Sequence, residues 1–330
     1  MIEKRTLGGR LVNPVGLGCM SLSWAYGVPP SEDDAIRLLG RALDVGYDHL
    51  DTANIYGIGH NETLIGKALK GRRNAFFLGT KMGITADGDK RSIDCSPAAI
   101  RRCIDESLTR LQTDHIDLYT MHRPDRTVPI EESMGAMAEL VAAGKISHVG
   151  LSEMNAETLR RAHAVHPVAA MQTEYSLWTR NPEIAVLDAC AELGTTFVAF
   201  SPVGRGVLAN GVRNAADLPE GDFRRTMPRF NAENWPKNLA LIDQFDALAT
   251  EAGVTPAQLS LAWVLSRGTH IVTIPGTGSI THMENNIARW DWELPADLAA
   301  RLDALINQQT VAGPRYGPAM QASVSTEEFA

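Results

Sequence analysis

Short apolar runs alternate with longer stretches of helical periodicity along most of this chain, and that alternation constrains the fold more than any other feature. The short runs are typical of buried parallel strands, whereas the longer stretches repeat apolar residues every three or four positions. The pattern predicts strands at residues 15–18, 49–51, 76–81, 117–121, 146–151, 169–173, 196–200 and 271–274. Each strand is followed by at least one predicted helix. Eight such units are the number in a (β/α)8 TIM barrel, so we predict an α/β fold of that class.

Helix start and stop signals support this count. Ser31 is placed to cap the first helix, which carries acidic residues in its first turn, and Pro97 occupies the first position of a later helix. We expect helices at residues 31–46, 62–69, 96–111, 130–141, 156–164, 184–193, 239–252 and 256–266, and further helices from residues 280 and 295. The segment from Arg5 to Val12 is expected to form a small N-terminal β-hairpin.

The alternative architecture is a doubly wound sheet. That fold usually carries a GxGxxG turn after its first strand, and the stretch from Gly16 to Ser21 lacks this spacing. We therefore expect residues 1–330 to form one barrel domain with extra helices and a tail at its C-terminal end. The tail, from residue 310 onward, is mixed and polar, and two interpretations of it stay open: a disordered end, or a segment that closes over the barrel mouth.

Composition and charge exclude several classes of function. The formal net charge of −8 and a pI of about 5.6 favour a soluble protein and argue against a nucleic-acid partner. No apolar stretch approaches the roughly 20 residues that span a bilayer, and no apolar region follows the charged first residues as in a signal peptide. The four cysteines lack the close spacing of metal ligands. We therefore expect a cytoplasmic protein with reduced thiols, no metal site and no membrane partner.

Four ionisable side chains stand at, or just past, the ends of three consecutive predicted strands: Asp51, Tyr56, Lys81 and His122. The carboxyl ends of barrel strands meet at one face, where barrel enzymes carry out their chemistry, so we expect the four groups to lie together. A free tyrosine has a pKa of about 10, too high for an efficient acid at neutral pH. Lys81 would stabilise the phenolate and lower that pKa, Asp51 would pair with Lys81, and His122 would orient a substrate carbonyl.

A phenol that gives a proton to an oxygen implies that a hydride reaches the attached carbon. No side chain supplies a hydride, so these residues predict a bound nicotinamide or flavin. Taken singly, each of the four residues has a more frequent role in packing, in a loop or at the surface. Their joint occurrence at successive strand ends favours the catalytic interpretation.

The four positions resemble the catalytic tetrad of the aldo-keto reductase superfamily, and the resemblance extends from about Leu7 to Leu305. It is carried by the stretches at residues 15–20, 51–57, 150–153, 172–178, 200–206 and 274–277. The resemblance implies a TIM barrel that reduces a small aldehyde or ketone with NADPH, with Tyr56 as general acid. The segments 175–178 and 222–225 are most similar to the bacterial and plant branch that contains the pyridoxal-reductase-like and perakine-reductase-like enzymes.

The resemblance also implies the cofactor contacts. Ser152 and Gln172 would bind the nicotinamide carboxamide, with Glu153 beside them, and Phe200 would stack on the ring. Contacts with the nicotinamide ribose would come from Gly18, Cys19 and Met20, and contacts with the pyrophosphate from Ser201, Val203, Gly204 and Arg205. The same set of cofactor residues includes Asp51, Pro202, Gly276, Thr277, Gly278, Ser279, His282, Asn285 and Asn286, the last of which matches the adenine-binding residue.

Two departures from the family pattern bear on the cofactor. Glu153 stands where the family often has Asn, and it brings a negative charge. Gly278 and His282 stand near positions where relatives commonly carry Arg or Lys to hold the 2′-phosphate of NADP, and a neutral imidazole cannot reproduce the charge-assisted fork of a guanidinium. NADPH is therefore the expected cofactor, held by a weak phosphate site, and NADH is more plausible than in a typical member.

The substrate side is less determined by the sequence. Trp24, Tyr26, Arg123, Trp178 and the segment 204–235 are expected to border the pocket, whose aromatic content suits a flat or apolar aldehyde or ketone. Trp178 fits core packing equally well, and Arg123 either meets an anionic substrate group or pairs with an acid at the surface. The direction of net flux and the oligomeric state do not follow from these residues. Other functions stay open: a nucleotide-binding regulatory subunit resembling potassium-channel β subunits, a barrel enzyme of another chemistry, and net oxidation of an alcohol or sugar.

Overall fold

Parallel strands form the central barrel in a computed structural model, which describes residues 3–87 and 90–329. The strands are β1 (Arg5–Leu7), β2 (Arg10–Val12), β3 (Leu17–Gly18), β4 (His49–Asp51), β5 (Phe77–Met82), β6 (Ile84–Asp87), β7 (Lys90–Ile93), β8 (Ile116–Met121), β9 (Ile146–Ser152), β10 (Val168–Glu174), β11 (Thr196–Phe200) and β12 (Ile271–Ile274). β1 and β2 form one antiparallel hairpin, and β6 and β7 form another. The other eight lie side by side in chain order, as expected when helices connect neighbouring parallel strands.

The barrel closes between its first and last strands. The backbone amide of Gly16 donates to the carbonyl of Thr273 (2.8 Å), and the amide of Thr273 donates to the carbonyl of Pro14 (2.7 Å). At Gly18 the strands approach so closely that a Cβ atom would lie 2.7 Å from the carbonyl oxygen of Ile274. Only glycine fits this position, and the closed ring of strands confirms the predicted TIM barrel.

Helices surround the barrel. They are α1 (Glu32–Asp44), α2 (His60–Ala68), α3 (Pro97–Leu111), α4 (Ile130–Ala142), α5 (Ala156–Val165), α6 (Val186–Leu193), α7 (Trp235–Glu251), α8 (Pro256–Ser266), α9 (Ile280–Ile287), α10 (Ala296–Leu305) and α11 (Pro318–Gln321). Ser31 caps α1 by accepting from the amide of Asp34, as predicted. The helix α7 begins four positions earlier than predicted, because Pro236 is accommodated in its first turn. None of the helices in the described ranges has both the length and the hydrophobicity of a membrane span.

The N-terminal hairpin covers the amino end of the barrel. Thr196, the first residue of β11, donates to the carbonyl of Thr6 (2.7 Å). Leu7 and Val12 are buried inside the barrel against side chains of the strands, namely Phe77, Leu118, Ala170, Val198, Val272 and Ile274. The predicted hairpin is therefore present, and it leaves the carboxyl ends of the strands as the open face.

The second hairpin, formed by β6 and β7, was not predicted from the sequence. Its strands have four residues each and lack the apolar run that marks a buried strand. Asn54, in the loop after β4, donates its side-chain amide to the carbonyl of Ile84 (3.2 Å). This hydrogen bond attaches the hairpin to the carboxyl end of the barrel.

The buried guanidinium of Arg5 should hold the amino end of the barrel together. It donates to the carbonyls of Leu265 (2.7 Å) and Gly268 (2.8 Å), and burial lowers the pKa of Arg5 to about 10. Because Arg5→Met leaves these carbonyls without their donors, we expect it to lower the free energy of unfolding by about 2–4 kcal/mol in urea titrations. Arg10→Met, on the same hairpin but partly exposed, is the matched control, and an equal loss in both variants would refute this role of Arg5.

Candidate active site

Lys81 is fully buried at the carboxyl end of β5, where its ammonium group contacts three acceptors. Nζ donates to the carboxylate of Asp51, to the carbonyl of Thr52 (2.8 Å) and to the phenol of Tyr56 (3.3 Å). Burial lowers the pKa of Lys81, but Asp51 and Tyr56 raise it, and the net direction is upward. The lysine is therefore charged, and its charge lies against the phenol.

The phenol of Tyr56 is protonated in this environment. Burial raises its pKa and Lys81 lowers it, and burial has the larger effect, so the pKa lies above the ordinary value of a tyrosine. Lys81 lowers the pKa of the phenol as predicted, but burial raises it more because a buried phenolate loses its hydration. Lys81 nevertheless keeps the pKa lower than burial alone would set it.

His122 lies edge-on to Tyr56, with the two ring centres 5.8 Å apart. Its backbone amide donates to the carbonyl of Met82 (2.9 Å), which fixes its position beside the end of β5. Burial lowers the pKa of His122 well below its ordinary value, and the nearby charges of Arg123, Lys81 and Arg91 lower it further. The imidazole is therefore neutral at physiological pH and carries one N–H that can donate to an oxygen.

Gln172 connects Asp51 to the neighbouring strands. Its side-chain amide donates to Oδ2 of Asp51 (2.9 Å), while Oδ1 faces Lys81. Ser152 lies opposite Gln172 in the register of β9 and β10. The buried hydroxyl of Ser152 has no hydrogen-bond partner among the described residues. A polar group that enters from the open face would thus find an available serine hydroxyl and the free oxygen of the Gln172 amide.

A cavity of about 1320 Å³ opens above Tyr56 and His122. Lys81 lies beneath its wall, and the predicted substrate residues Trp24, Tyr26 and Arg123 line it. Most of the predicted cofactor residues line it too. They are Gly18, Cys19, Met20, Asp51, Ser152, Gln172, Phe200, Ser201, Pro202, Val203, Arg205, Gly276, Thr277, Gly278, Ser279, His282, Asn285 and Asn286.

Comparison with known families identifies this arrangement. The model of the aldo/keto reductase family matches residues 14–307. The chain belongs to the aldo/keto reductase family. Among its relatives, the chain is 42% identical over 324 residues to the aldo-keto reductase yakc [NADP(+)] of Schizosaccharomyces pombe, covering 96% of this chain and 95% of that protein. It is 41% identical over 324 residues to the aldo-keto reductase str7 of Strobilurus tenacellus, covering 95% of each.

Solved structures of other proteins share the fold of this aldo/keto reductase. The glycerol dehydrogenase of Gluconobacter oxydans superposes with a TM-score of 0.86 at 28% identity, over 96% of this chain and 98% of that chain. An aldo-keto reductase of Klebsiella pneumoniae in complex with NADPH gives a TM-score of 0.72 at 27% identity, over 95% of this chain and 99% of that chain. Both comparisons extend over nearly the whole barrel.

Besides Lys81, three predicted site residues of this aldo/keto reductase lie outside the cavity wall: Glu153, Gly204 and Trp178. Glu153 follows β9 in a left-handed conformation (φ 57°), and its carboxylate accepts from the amide of Glu174 (3.0 Å) and pairs with Arg315. The carboxylate oxygens of Glu153 therefore face the tail and not the cavity. Trp178 is buried in the core, which supports the packing interpretation of this residue. It packs so closely against Gly204 that a Cβ atom added to the glycine would lie 3.1 Å from the Cβ atom of Trp178.

The guanidinium of Arg205 is held by protein groups, although the residue lines the cavity. It pairs with Glu174 and donates to the hydroxyls of Tyr316 (2.8 Å) and Tyr26 (3.1 Å). The backbone of Arg205 is left-handed (φ 59°) within a 3-10 turn over Gly204–Ala209. The side chain is thus occupied, and only the backbone is available for the predicted contact with the pyrophosphate.

The tail crosses the barrel mouth and is held by a buried network of charges. Arg315 pairs with both Glu153 and Glu174, and all three side chains are buried. Further along, the amide of Ser325 donates to the carbonyl of Glu153 (2.9 Å). Of the two interpretations of the tail, the structure therefore supports the segment that closes over the mouth. Tail residues that the sequence did not predict line the cavity: Tyr316, Gly317, Pro318, Ala319, Met320 and Ser323.

The end of the cavity that was predicted to hold the 2′-phosphate lies at the start of α9. Ser279 caps this helix by accepting from the amide of His282, whose side chain is exposed. A Cβ atom on Gly278 would lie 3.2 Å from Pro30, so a longer side chain is crowded there. Among the described residues, no group of three or more His, Cys, Asp or Glu side chains could hold a metal ion.

The low pKa of Glu174 should make the closed mouth sensitive to acid. Burial raises that pKa, but Arg205 and Arg315 lower it, to about 2 from an ordinary value of 4.5. A carboxyl whose folded pKa is depressed stabilises the fold above its unfolded pKa, and this contribution is lost as the pH falls toward the folded value. Between pH 4.5 and pH 2, we therefore expect the free energy of unfolding to fall by about 3 kcal/mol more in the wild type than in Glu174→Gln.

Urea titrations at a series of pH values measure this difference. The variant Glu220→Gln, changed at an exposed carboxyl outside the cavity, should follow the wild-type dependence on pH. Parallel pH dependences for the wild type and Glu174→Gln would show that the buried network contributes no such stability.

Proposed function

We propose that this protein reduces an aldehyde or ketone to an alcohol with NADPH as the hydride donor, and that Tyr56 is the general acid. The observation that carries the proposal is the contact between the buried ammonium of Lys81 and the phenol of Tyr56 (3.3 Å), beside His122 in a large cavity. A protonated phenol next to a fixed positive charge is suited to give up a proton, because the charge stabilises the phenolate that remains.

The donor set of the cavity fits a nicotinamide. NADPH, when bound, supplies the hydride. Ser152 would accept from the carboxamide or donate to it, and Gln172, whose nitrogen is tied to Asp51, would accept with its free oxygen. Phe200 in the wall offers a ring face for stacking. The relative from Schizosaccharomyces pombe is named for NADP(+), and the structure from Klebsiella pneumoniae contains NADPH, which supports NADPH as the cofactor here.

The catalytic groups have distinct roles in this proposal. The neutral imidazole of His122 donates an N–H to the substrate carbonyl oxygen and holds it near the phenol. The Oη atom of Tyr56 transfers its proton to that oxygen as the carbon accepts the hydride. Lys81, held by Asp51 and the Thr52 carbonyl, keeps its charge and stabilises the phenolate.

The same groups serve the reverse reaction, in which the phenolate of Tyr56 would accept the proton of an alcohol. One structural relative is a glycerol dehydrogenase, which is consistent with oxidation as the net direction. These residues can serve reduction and oxidation alike, so the ratio of reduced to oxidised cofactor would set the direction of net flux. Turnover of simple aldehydes would argue against the role of a regulatory subunit.

The variant Tyr56→Phe tests the general acid. Because it removes the hydroxyl that carries the transferable proton and keeps the ring, we expect kcat for aldehyde reduction to fall by at least about 100-fold, while the NADPH dissociation constant stays within about twofold of wild type. Reduced-nicotinamide absorbance measures turnover, and tryptophan fluorescence measures cofactor binding. Tyr119→Phe is the matched control, because Tyr119 is a buried tyrosine outside the cavity wall. Substantial turnover by Tyr56→Phe would remove Tyr56 from this role.

The variant His282→Arg tests the 2′-phosphate site. His282 is exposed at the start of α9, so an arginine there meets no crowding, unlike one at Gly278. We expect the ratio of the NADH to the NADPH dissociation constant to rise about tenfold, since a guanidinium–phosphate contact contributes on the order of 1.5–3 kcal/mol. Gln309→Arg adds the same charge at an exposed position outside the cavity wall and should leave the ratio unchanged. An unchanged ratio in His282→Arg would mean that the phosphate lies elsewhere.

A further inference from the structure

Arginines on the surface of this protein are commonly paired with acids. Exposed arginines that pair with an acidic side chain are Arg37, Arg41, Arg72, Arg101, Arg160, Arg161, Arg213 and Arg301. Two arginines in the cavity wall are paired as well, Arg205 with Glu174 and Arg224 with Asp222. With a net charge of −8, acids are plentiful, so an unpaired arginine in the wall calls for a different explanation.

Arg91 and Arg123 line the same cavity. Among the side chains of residues 3–86 and 91–329, no acid lies within ion-pair distance of either guanidinium, and Asp51, the one acid of these residues in the wall, is bound to Lys81. Nη1 of Arg123 donates to the carbonyl of His122 (2.7 Å), which leaves its other N–H groups available. Their position beside the carbonyl-orienting histidine places two positive charges next to the substrate.

The arginine on β7 is held in place by an aromatic ring. The guanidinium carbon of Arg91 lies 4.4 Å from the ring centre of Trp24, a cation–π contact that keeps its edge free for hydrogen bonds. The two guanidinium groups are close enough to repel each other: burial lowers the pKa of Arg91, and the charge of Arg123 lowers it further. An anion between them would relieve that repulsion.

We propose that Arg91 and Arg123 form a binding site for an oxyanion of the substrate, a carboxylate or a phosphate. The proposal rests on the proposed carbonyl reduction and names its substrate class: an aldehyde or ketone that carries a negative charge away from its carbonyl. Guanidinium groups bind carboxylates and phosphates through paired, charge-assisted hydrogen bonds. The apolar side chains of Ile55, Ile84 and Ile93 in the wall would contact the hydrocarbon part between the two polar ends.

Three aldehydes of similar shape test this site: 4-formylbenzoate, 4-formylphenyl phosphate and the neutral methyl 4-formylbenzoate. The measured quantity is the ratio of kcat/KM for each anion to kcat/KM for the ester. We expect a wild-type ratio above about ten for at least one anion, and a decrease of about tenfold in each of Arg91→Gln and Arg123→Gln. The anion with the larger ratio shows whether the site prefers a carboxylate or a phosphate.

A ratio within one enzyme isolates recognition of the anion. Removing a neighbouring charge also raises the pKa of His122, but that change affects the anion and the ester alike. Arg102→Gln, which removes the same charge from an exposed position on α3, should keep the wild-type ratio. Arg91→Lys should retain part of the preference, because a positive charge remains while the planar fork is lost.

Calorimetric binding of the same compounds to the complex with NADP+, in which no reduction takes place, separates this proposal from the proposed function. Tighter binding of an anion than of the ester, lost in Arg91→Gln, would support the oxyanion site even if no compound is reduced, and would then overturn the proposed reduction. Equal kcat/KM for anions and ester, or a ratio unchanged in both glutamine variants, would overturn the oxyanion site and leave the reduction in place.

Discussion

A fully buried ammonium group is the constraint on which the open end of this barrel depends. Taking the charge of Lys81 out of water is costly, and the cost is offset only when its N–H groups find acceptors. Those acceptors are Asp51, the Thr52 carbonyl and the Tyr56 phenol, all carried by β4 or the loop that follows it. Because β4 pairs directly with β5, the barrel order that satisfies the lysine also brings the phenol to its charge. The phenol of Tyr56 is thus held in place by the same contacts that satisfy the buried charge of Lys81.

A second layer of buried charges lies at the same end and is linked to the first through β10. Gln172 contacts Asp51, and Glu174, two positions later on the same side of the strand, pairs with Arg205 and Arg315. One strand therefore contacts the ion pair of Asp51 and Lys81 and also anchors the tail. This arrangement explains why the tail, although it comes late in the chain, has a defined place beside the cavity.

The sequence was sufficient for the features that local patterns encode. Strand and helix periodicity predicted the barrel, and the rule that barrel strands converge at their carboxyl ends predicted the contact of Asp51, Tyr56 and Lys81. The sequence was insufficient where the role of a residue depends on a partner far away in the chain. Glu153 was assigned to the cofactor because its partner, Arg315, follows 162 positions later, and the β6–β7 hairpin has no apolar run to mark it. Predicting the net shift in the pKa of Tyr56 also requires knowing how deeply the phenol is buried, and only the folded structure shows that burial.

The wide separation between Arg315 and its two partners has a consequence for synthesis of the protein. Glu174 precedes Arg315 by 141 positions, and β12, the last barrel strand, ends at Ile274. A ribosome therefore makes every strand of the barrel before it adds Arg315, whose guanidinium pairs with Glu153 and Glu174. Until then Glu174 has Arg205 as its arginine partner, whereas Glu153 lacks the guanidinium with which it pairs in the folded chain, and burying an unpaired carboxylate is costly. The contacts that hold the tail over the mouth can therefore be completed only after every strand of the barrel has been made.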